Sequence, residues 1–406
     1  MTNLVLKGGL FDGETYTENG VVVIDPEKGT IVDVANEGEV DLPRDAKVLG
    51  QPGQTIIPGL IDTHLHFFGS KAYDLTAWVT TPETLAALRS VAHVRNLLMS
   101  GYTCVREMGS KGGAFLARAV REGVIDGPEI LSCGRSLGQT GGDDDPINLP
   151  LHIAQELSYS YFGDGPWECR RAVRKVLRDG ADFVKVYAAT GSTPELYTSA
   201  TLRRQLTVEE LKAIVNEAHS VGVKVAGHAI GEDSMRNVVE AGVDSIEHGV
   251  CLTPEIAQEI KKRGIYYTPT LAIFVTNPSL NAFIEEPNKP DTLFVRRHAT
   301  TDLQIAKEYG LKVVSGSDFG GTDQQPHGRN QIEVFALAKS FGNKEALTAA
   351  TSRAAECCGF TNVGRIKKGF AADIVMVKGN PLNDIQALAP ANIMHVWKRG
   401  RSVGTS

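Results

Sequence analysis

From about residue 56 the chain alternates between two textures. Apolar runs of four to seven residues are followed by longer stretches whose apolar residues recur every three or four positions. The first texture is that of a buried strand and the second that of an amphipathic helix. Eight runs predict strands: Thr55–Ile61, Tyr102–Arg106, Glu129–Cys133, Phe183–Tyr187, Lys224–Ala229, Ser245–His248, Tyr266–Leu271 and Lys312–Gly316. Between them, Thr81-Pro-Glu opens a helix with Leu85, Leu88, Val91 and Leu98 at helical spacing. Thr207-Val-Glu-Glu210 is a capping box leading into Leu211, Ile214, Val215 and Ala218, and Thr253-Pro-Glu opens a helix with Ile256 and Ile260 on one face. Gly101, Gly180, Gly222, Gly264 and Gly310 stand where helices end before the next strand. Eight strand–helix units over roughly 300 residues predict the α/β class and a closed (β/α)8 TIM-type barrel.

The flanks read differently. Leu4–Leu6, Val21–Ile24, Ile31–Val34 and Lys47–Leu49 are short strands punctuated by Gly-Gly, Asp-Gly and Lys-Gly turns, with no helix between them. After a helical stretch over Lys344–Cys358, strands return around Ile374–Val377 and His395–Lys398. Residues 1–55 and 364–406 are therefore expected to form one small β-sandwich domain, with the barrel over 56–363. Asn277–Pro290, rich in Pro and Asn, is the candidate lid.

Composition narrows the class. A hydrophobic fraction of 42% and a charged fraction of 22% are those of a soluble protein with a sizeable core. A net charge of -6 gives no reason to expect nucleic-acid binding. The six cysteines contain no Cys-x-x-Cys pair and are expected to be reduced thiols. No apolar run of about 18 residues predicts a membrane span, and Met1–Lys7 lacks the basic start of a secretory signal. A cytoplasmic location is the expectation.

The chemistry lies at the predicted strand ends, where such barrels place it. Pro58-Gly-Leu-Ile-Asp-Thr-His-Leu-His66 offers two imidazoles one residue apart, which in extended chain project from the same face. Lys185 lies in strand four, His228 ends strand five, His248 ends strand six and Asp318 follows strand eight. A single histidine at a strand end is commonly a hydrogen-bonded core residue, Lys185 could snorkel to the rim, and Asp318 could cap a turn. Four histidines and a lysine at one mouth, however, carry a desolvation cost that a bound dication would remove. An ammonium cannot coordinate. Buried beside metal, Lys185 should lose its proton and could react with CO2 to give a carboxylysine able to bridge two ions. Such a pair, about 3.5–4 Å apart, would activate a bridging hydroxide and polarise a carbonyl.

These motifs resemble the amidohydrolase superfamily, and within it the imidazolonepropionase-like and prolidase-like group. That group includes Xaa-Arg dipeptidases, ochratoxin amidohydrolases, and phenylurea and molinate hydrolases. Gly101-Tyr-Thr-Cys-Val-Arg-Glu-Met-Gly109, Gly134-Arg-Ser-Leu-Gly-Gln-Thr-Gly-Gly142 and Gly369-Phe-Ala-Ala-Asp-Ile-Val375 add to the likeness. The resemblance implies that His64, His66 and Asp318 hold the more buried metal, and that His228 and His248 hold the other. It implies that carboxylated Lys185 bridges them, and that Asp318 moves the proton to the leaving amine. Zinc is the default ion for imidazole-rich ligation, with manganese, cobalt and iron tolerated. Oligomerisation is common in such relatives, so a homo-oligomer is expected.

The expected reaction is hydrolysis of an amide-type C–N bond in an N-acyl amino acid, dipeptide or aryl amide, a small-molecule substrate. Dipeptide-cleaving relatives often have histidine where this chain has Asp143, and tyrosine where it has Ile230. The Asp143–Asp145 run is either a solvated loop or a preference for a cationic group, whereas Ile230 would make the pocket more apolar. His327 is a candidate substrate contact or a loop hydrogen-bonder. Carbamate, urea, lactone or ester hydrolysis would use the same pair of ions. A mononuclear deaminase shares the histidines and Asp318 but has no use for Lys185, and a non-catalytic assembly protein would lose ligands that this chain retains.

Overall fold

A computed structural model describes residues 3–39, 43, 45–190, 204–276 and 297–404. The candidate lid Asn277–Pro290 lies outside the described residues.

The first five strands are β1 (Leu4–Phe11), β2 (Tyr16–Asp25), β3 (Thr30–Asn36), β4 (Lys47–Leu49) and β5 (Gln54–Pro58). The next ten are β6 (Leu60–Leu65), β7 (Tyr102–Glu107), β8 (Glu129–Ser132), β9 (Ser136–Gly138), β10 (Ser160–Phe162), β11 (Val184–Tyr187), β12 (Val225–Ile230), β13 (Ser245–Val250), β14 (Tyr266–Thr268) and β15 (Lys312–Val313). The last three are β16 (Ile374–Lys378), β17 (Ile393–Lys398) and β18 (Arg401–Val403).

Both termini meet in one sheet of order β18-β17-β16-β5-β1-β2-β3, with β4 beside β1. Its apolar face buries Leu6, Val22, Ile24, Ile56, Ile374, Met376 and Trp397. The predicted strand Thr55–Ile61 is in fact two. Residues 54–58 pair antiparallel with β16, Met376 opposite Ile56, and Leu60–Leu65 starts a second sheet beside β7. Gly59 stands at the change of sheet, where a Cβ would drive into the Thr103 side chain. Only glycine leaves room there for the Thr103 side chain.

The middle of the chain is parallel: β6-β7-β8 form one sheet and β10-β9-β11-β12-β13-β14-β15 another. Backbone bonds tie their ends together, from Thr63 N–H to Ser315 O (2.9 Å), from Asp318 N–H to His64 O (2.7 Å) and from Asp182 N–H to Ser132 O (2.7 Å). Helices pack outside these strands around one large core. The Thr207–Glu210 capping box is present, and Thr253 caps Pro254–Arg263. Gly101, Gly180, Gly222, Gly264 and Gly310 all have positive φ, as chain reversals after helices require. No described helix is long and apolar enough to cross a membrane.

Some local expectations are corrected. Helix Glu83–Met99 buries Ser90, Val94, Leu97 and Leu98, while Leu85 and Leu88 face outward. Strand seven stops at Thr268, because Leu271 begins a helix, and strand eight is only two residues long. The stretch Lys344–Cys358 is two helices, Asn343–Ala349 and Ser352–Cys358, broken at Thr351. Strands β9 and β10 had no sequence signal beyond three residues each.

Candidate metal centre

Six side chains from five parts of the parallel sheets reach one small void of about 20 Å³, room for roughly one water. His64 lies in β6 and His66 just past its end; Lys185 comes from β11, His228 from β12, His248 from β13, and Asp318 follows β15. Among the described residues, the five others lining the void are aromatic: Phe68, Tyr73, Trp78, Tyr159 and Tyr187. His66 stacks on Phe68 with ring centroids 4.6 Å apart, and Phe68 stacks on Trp78 at 4.1 Å. The six polar groups thus sit on a floor beneath an aromatic wall.

Asp318 is the hub. Its Oδ1 lies 3.2 Å from His64 Nε2 and 3.3 Å from His66 Nε2, and its Oδ2 lies 3.8 Å from His248 Nδ1. The His228 ring packs against His248 and Tyr187, with centroids 4.5 and 5.0 Å away. Lys185 Nζ sits 5.0 Å from the Tyr187 ring centre. Donor atoms of His64, His248 and Asp318 fall within 4.8 Å of one another, close enough to share an ion.

The outward nitrogens show where a proton sits. His64 Nδ1 is 2.8 Å from Glu247 Oε2, and His66 Nδ1 is 2.9 Å from the Gly109 carbonyl oxygen. A carboxylate paired this way and a carbonyl can only accept, so each Nδ1 carries a proton and each Nε2 turns inward toward Asp318. His64 Nε2 is buried without a hydrogen-bond partner. An inward, buried nitrogen beside a carboxylate fits a metal ligand, and the imidazole–carboxylate donor set suits a transition dication.

Behind the ligands lies a second layer of polar groups. Asp62 Oδ1 accepts from the backbone N–H of His64 and of Ser317, both at 3.0 Å, and its Oδ2 accepts from Ser317 Oγ and Asn330 Nδ2, both at 2.7 Å. This one carboxylate ties β6 to the loop that carries Asp318. His327 Nε2 donates to the His66 carbonyl oxygen at 2.8 Å while Asn330 donates to its Nδ1 at 3.3 Å.

Electrostatics follow from burial and proximity. Burial pulls the Lys185 ammonium below its usual range, against Glu247 and Asp318. Burial also lowers His66, His228 and His248, so these imidazoles are held neutral. For Asp318, burial would raise the carboxyl, but His64, His66 and His248 outweigh it and hold it well below the carboxylate range. The floor gathers these imidazoles around one anion. Backbone strain gathers at the same place: His248, Thr270 and Asp318 have φ of 66°, 52° and 58°. Non-glycine residues hold that left-handed conformation at a cost, and such costs concentrate at functional sites.

The remaining sequence candidates fall elsewhere. Asp143–Asp145 is buried rather than solvated, and Ser158 Oγ donates to the Asp144 carbonyl oxygen. Burial, then Asp143, pushes the Asp144 carboxyl up to about 8. Ile230 packs with Ala189, Val250, Ile273 and Phe274 and does not line the void. His327 is a buried support for His66 and likewise does not line it. Sequence reasoning missed Arg106 and Glu247, although two opposite charges inside apolar strands were the available signal. It also missed the aromatic wall, whose members are scattered from residue 68 to residue 187.

The family model described as "Amidohydrolase family" matches residues 55–403. Ochratoxinase from Aspergillus niger is 30% identical over 371 residues, covering 85% of this chain and 75% of that protein. Its crystal structure superposes with a TM-score of 0.86 at 26% identity, over 99% of this chain and 96% of that one. A prolidase complexed with N-methylphosphonate-L-proline gives a TM-score of 0.85 at 30% identity, and a Xaa-Pro dipeptidase with bound methionine gives 0.81 at 29%, each covering all of both chains.

Proposed function

The chain belongs to the amidohydrolase family, a generally metal-dependent group of hydrolases acting on carbon–nitrogen bonds, and from that premise we propose that it cleaves an amide or peptide bond with two divalent ions. The observation that carries this reading is the meeting of His64, His66, Lys185, His228, His248 and Asp318 at one small void. We read the two parallel sheets as one closed (β/α)8 barrel over residues 56–363, with the small β-domain from residues 1–55 and 364–406. His64, His66 and Asp318 would hold one ion and His228 and His248 the other, with Lys185 bridging them as its carbamate. Zinc is the ion the donor set favours. When bound, the ions supply Lewis acidity toward the scissile carbonyl and toward water.

The chain's own residues do the rest. Asp318, a carboxylate held ionised among three imidazoles, takes a proton from the attacking water and returns it to the leaving nitrogen. The depressed ammonium of Lys185 favours the free amine that CO2 requires. Phe68, Trp78 and Tyr159 exclude bulk water, which strengthens every charge interaction below them. A hydrolysis screen with zinc or manganese supplied, across N-acyl amino acids, dipeptides and aryl amides, tests the reading. Metal analysis showing about two ions per chain accompanies it. Turnover of none of these, or one ion per chain with purine deamination, would overturn it.

A further inference from the structure

Arg106 and Glu247 form a buried ion pair in the interior enclosed by the parallel strands, directly behind His64. Arg106 Nη2 donates to Glu247 Oε1 at 2.7 Å, Nη1 donates to Ser245 Oγ at 3.0 Å, and Nε donates to the Thr63 carbonyl oxygen at 2.6 Å. Ser245 Oγ donates to the same Glu247 oxygen, while Oε2 takes the His64 Nδ1 proton at 2.8 Å. Both charged side chains are almost wholly inaccessible. A buried pair of this kind contributes little net stability compared with well-packed apolar residues. Its position offers another reason for it to be there.

We infer that Arg106 and Glu247 are positioning residues that hold a proton on His64 Nδ1, leaving Nε2 as the nitrogen that faces Asp318 and a metal. This rests on the reading of His64 as a ligand. Arginine offers only donors, so Oε1 is committed to Arg106 and Ser245, and Oε2 must serve His64. The carboxylate is acceptor-only on both sides, which forces the proton onto Nδ1. A glutamine of nearly the same shape has one acceptor and one donor end. Its oxygen would be held by Arg106 and its amino group would face His64. Nδ1 would then have to accept, and the proton would move to Nε2, the metal-facing nitrogen. One atom's change would turn a ligand into a donor without emptying any space.

The test uses full-length protein stripped of metal, titrated with zinc against a chromophoric chelator. Glu247→Gln is expected to weaken zinc binding about 10–100-fold, the range typical of lost partners behind metal-binding histidines. Glu247→Asp, still acceptor-only, is expected to retain most of the affinity. Equal losses for the two variants, or none for Glu247→Gln, would overturn the inference. His64→Ala is the reference: undiminished zinc binding there would overturn the reading of the centre itself. A direct readout is the imidazole 15N spectrum of the metal-free protein, expected to show His64 protonated at Nδ1 in the wild type and at Nε2 in Glu247→Gln. Should Glu247→Gln not fold, the wild-type spectrum still decides, since a His64 there without a proton on Nδ1 would overturn the inference.

Discussion

The two halves of the floor are built to different standards. On the His64–His66 side each ring is held from behind: Glu247 grips one, the Gly109 carbonyl the other, and Asp62 fastens the backbone of His64 to Ser317 beside Asp318. On the other side, His248 leans on the Thr270 hydroxyl at 2.8 Å, and His228 packs against the Tyr187 and His248 rings with the Thr190 backbone as a hydrogen-bond partner. A carboxylate or a carbonyl dictates a tautomer, whereas a hydroxyl can donate or accept and dictates none. The difference teaches that the partners of His64 and His66 fix which nitrogen faces inward, while the hydroxyl partner of His248 does not.

The largest effect should come from the residue both halves share. Asp318→Asn is expected to lower kcat/KM on any amide substrate by about 10³-fold, the scale of a lost proton carrier. Activity within tenfold of wild type would remove Asp318 from the chemistry. Next come single-ligand deletions read by metal analysis after limited chelation. His228→Ala should keep about one ion per chain and His64→Ala about none, because the half whose inward nitrogens are fixed binds first. The reverse order would break the comparison. A smaller effect is expected from Thr270→Ala, which removes a neutral hydrogen bond of about 1 kcal/mol, so zinc affinity should fall less than about tenfold. A loss as large as that of Glu247→Gln would mean the halves are equally fixed.

The last prediction lies outside the floor and serves as its control. Asp144 is buried with neither oxygen hydrogen-bonded, and its carboxyl is pushed up to about 8 from its ordinary 3.8. The folded chain therefore holds a proton that the unfolded chain has lost between those values. The stability contribution is present below the lower value and is lost as pH rises through the upper one. Asp144→Asn should raise the melting temperature at pH near 9 more than at pH near 5, with metal binding unchanged. Equal shifts at both pH values would mean that Asp144 is ionised in the fold.

Much of the molecule was legible along the chain because its signals are local. Strand periodicity, caps at Thr207 and Thr253, and glycines of positive φ after helices depend on a few neighbouring residues. The exceptions share a cause. Leu85 and Leu88 keep the helical spacing yet face outward, because which stripe is buried depends on where the strands lie. The split at Gly59 depends on β16, more than 300 residues later, claiming residues 54–58.

By itself the sequence determined which side chains could form the centre, because a residue at the C-terminal end of a parallel strand has little choice of direction. The ends of β6, β11, β12 and β13 therefore nominated His64, His66, Lys185, His228 and His248. Only the tertiary structure decided how these groups are held. His64 meets Glu247 across 183 residues, Arg106 meets Glu247 across 141, and His327 meets the His66 carbonyl across 261. The same packing buried Asp143–Asp145, sent Ile230 into a separate apolar cluster and assembled the aromatic wall. Backbone periodicity is a short-range property and can be read in order. Tautomer, burial and pocket lining depend on partners brought together by folding, and their separation along the chain conceals them.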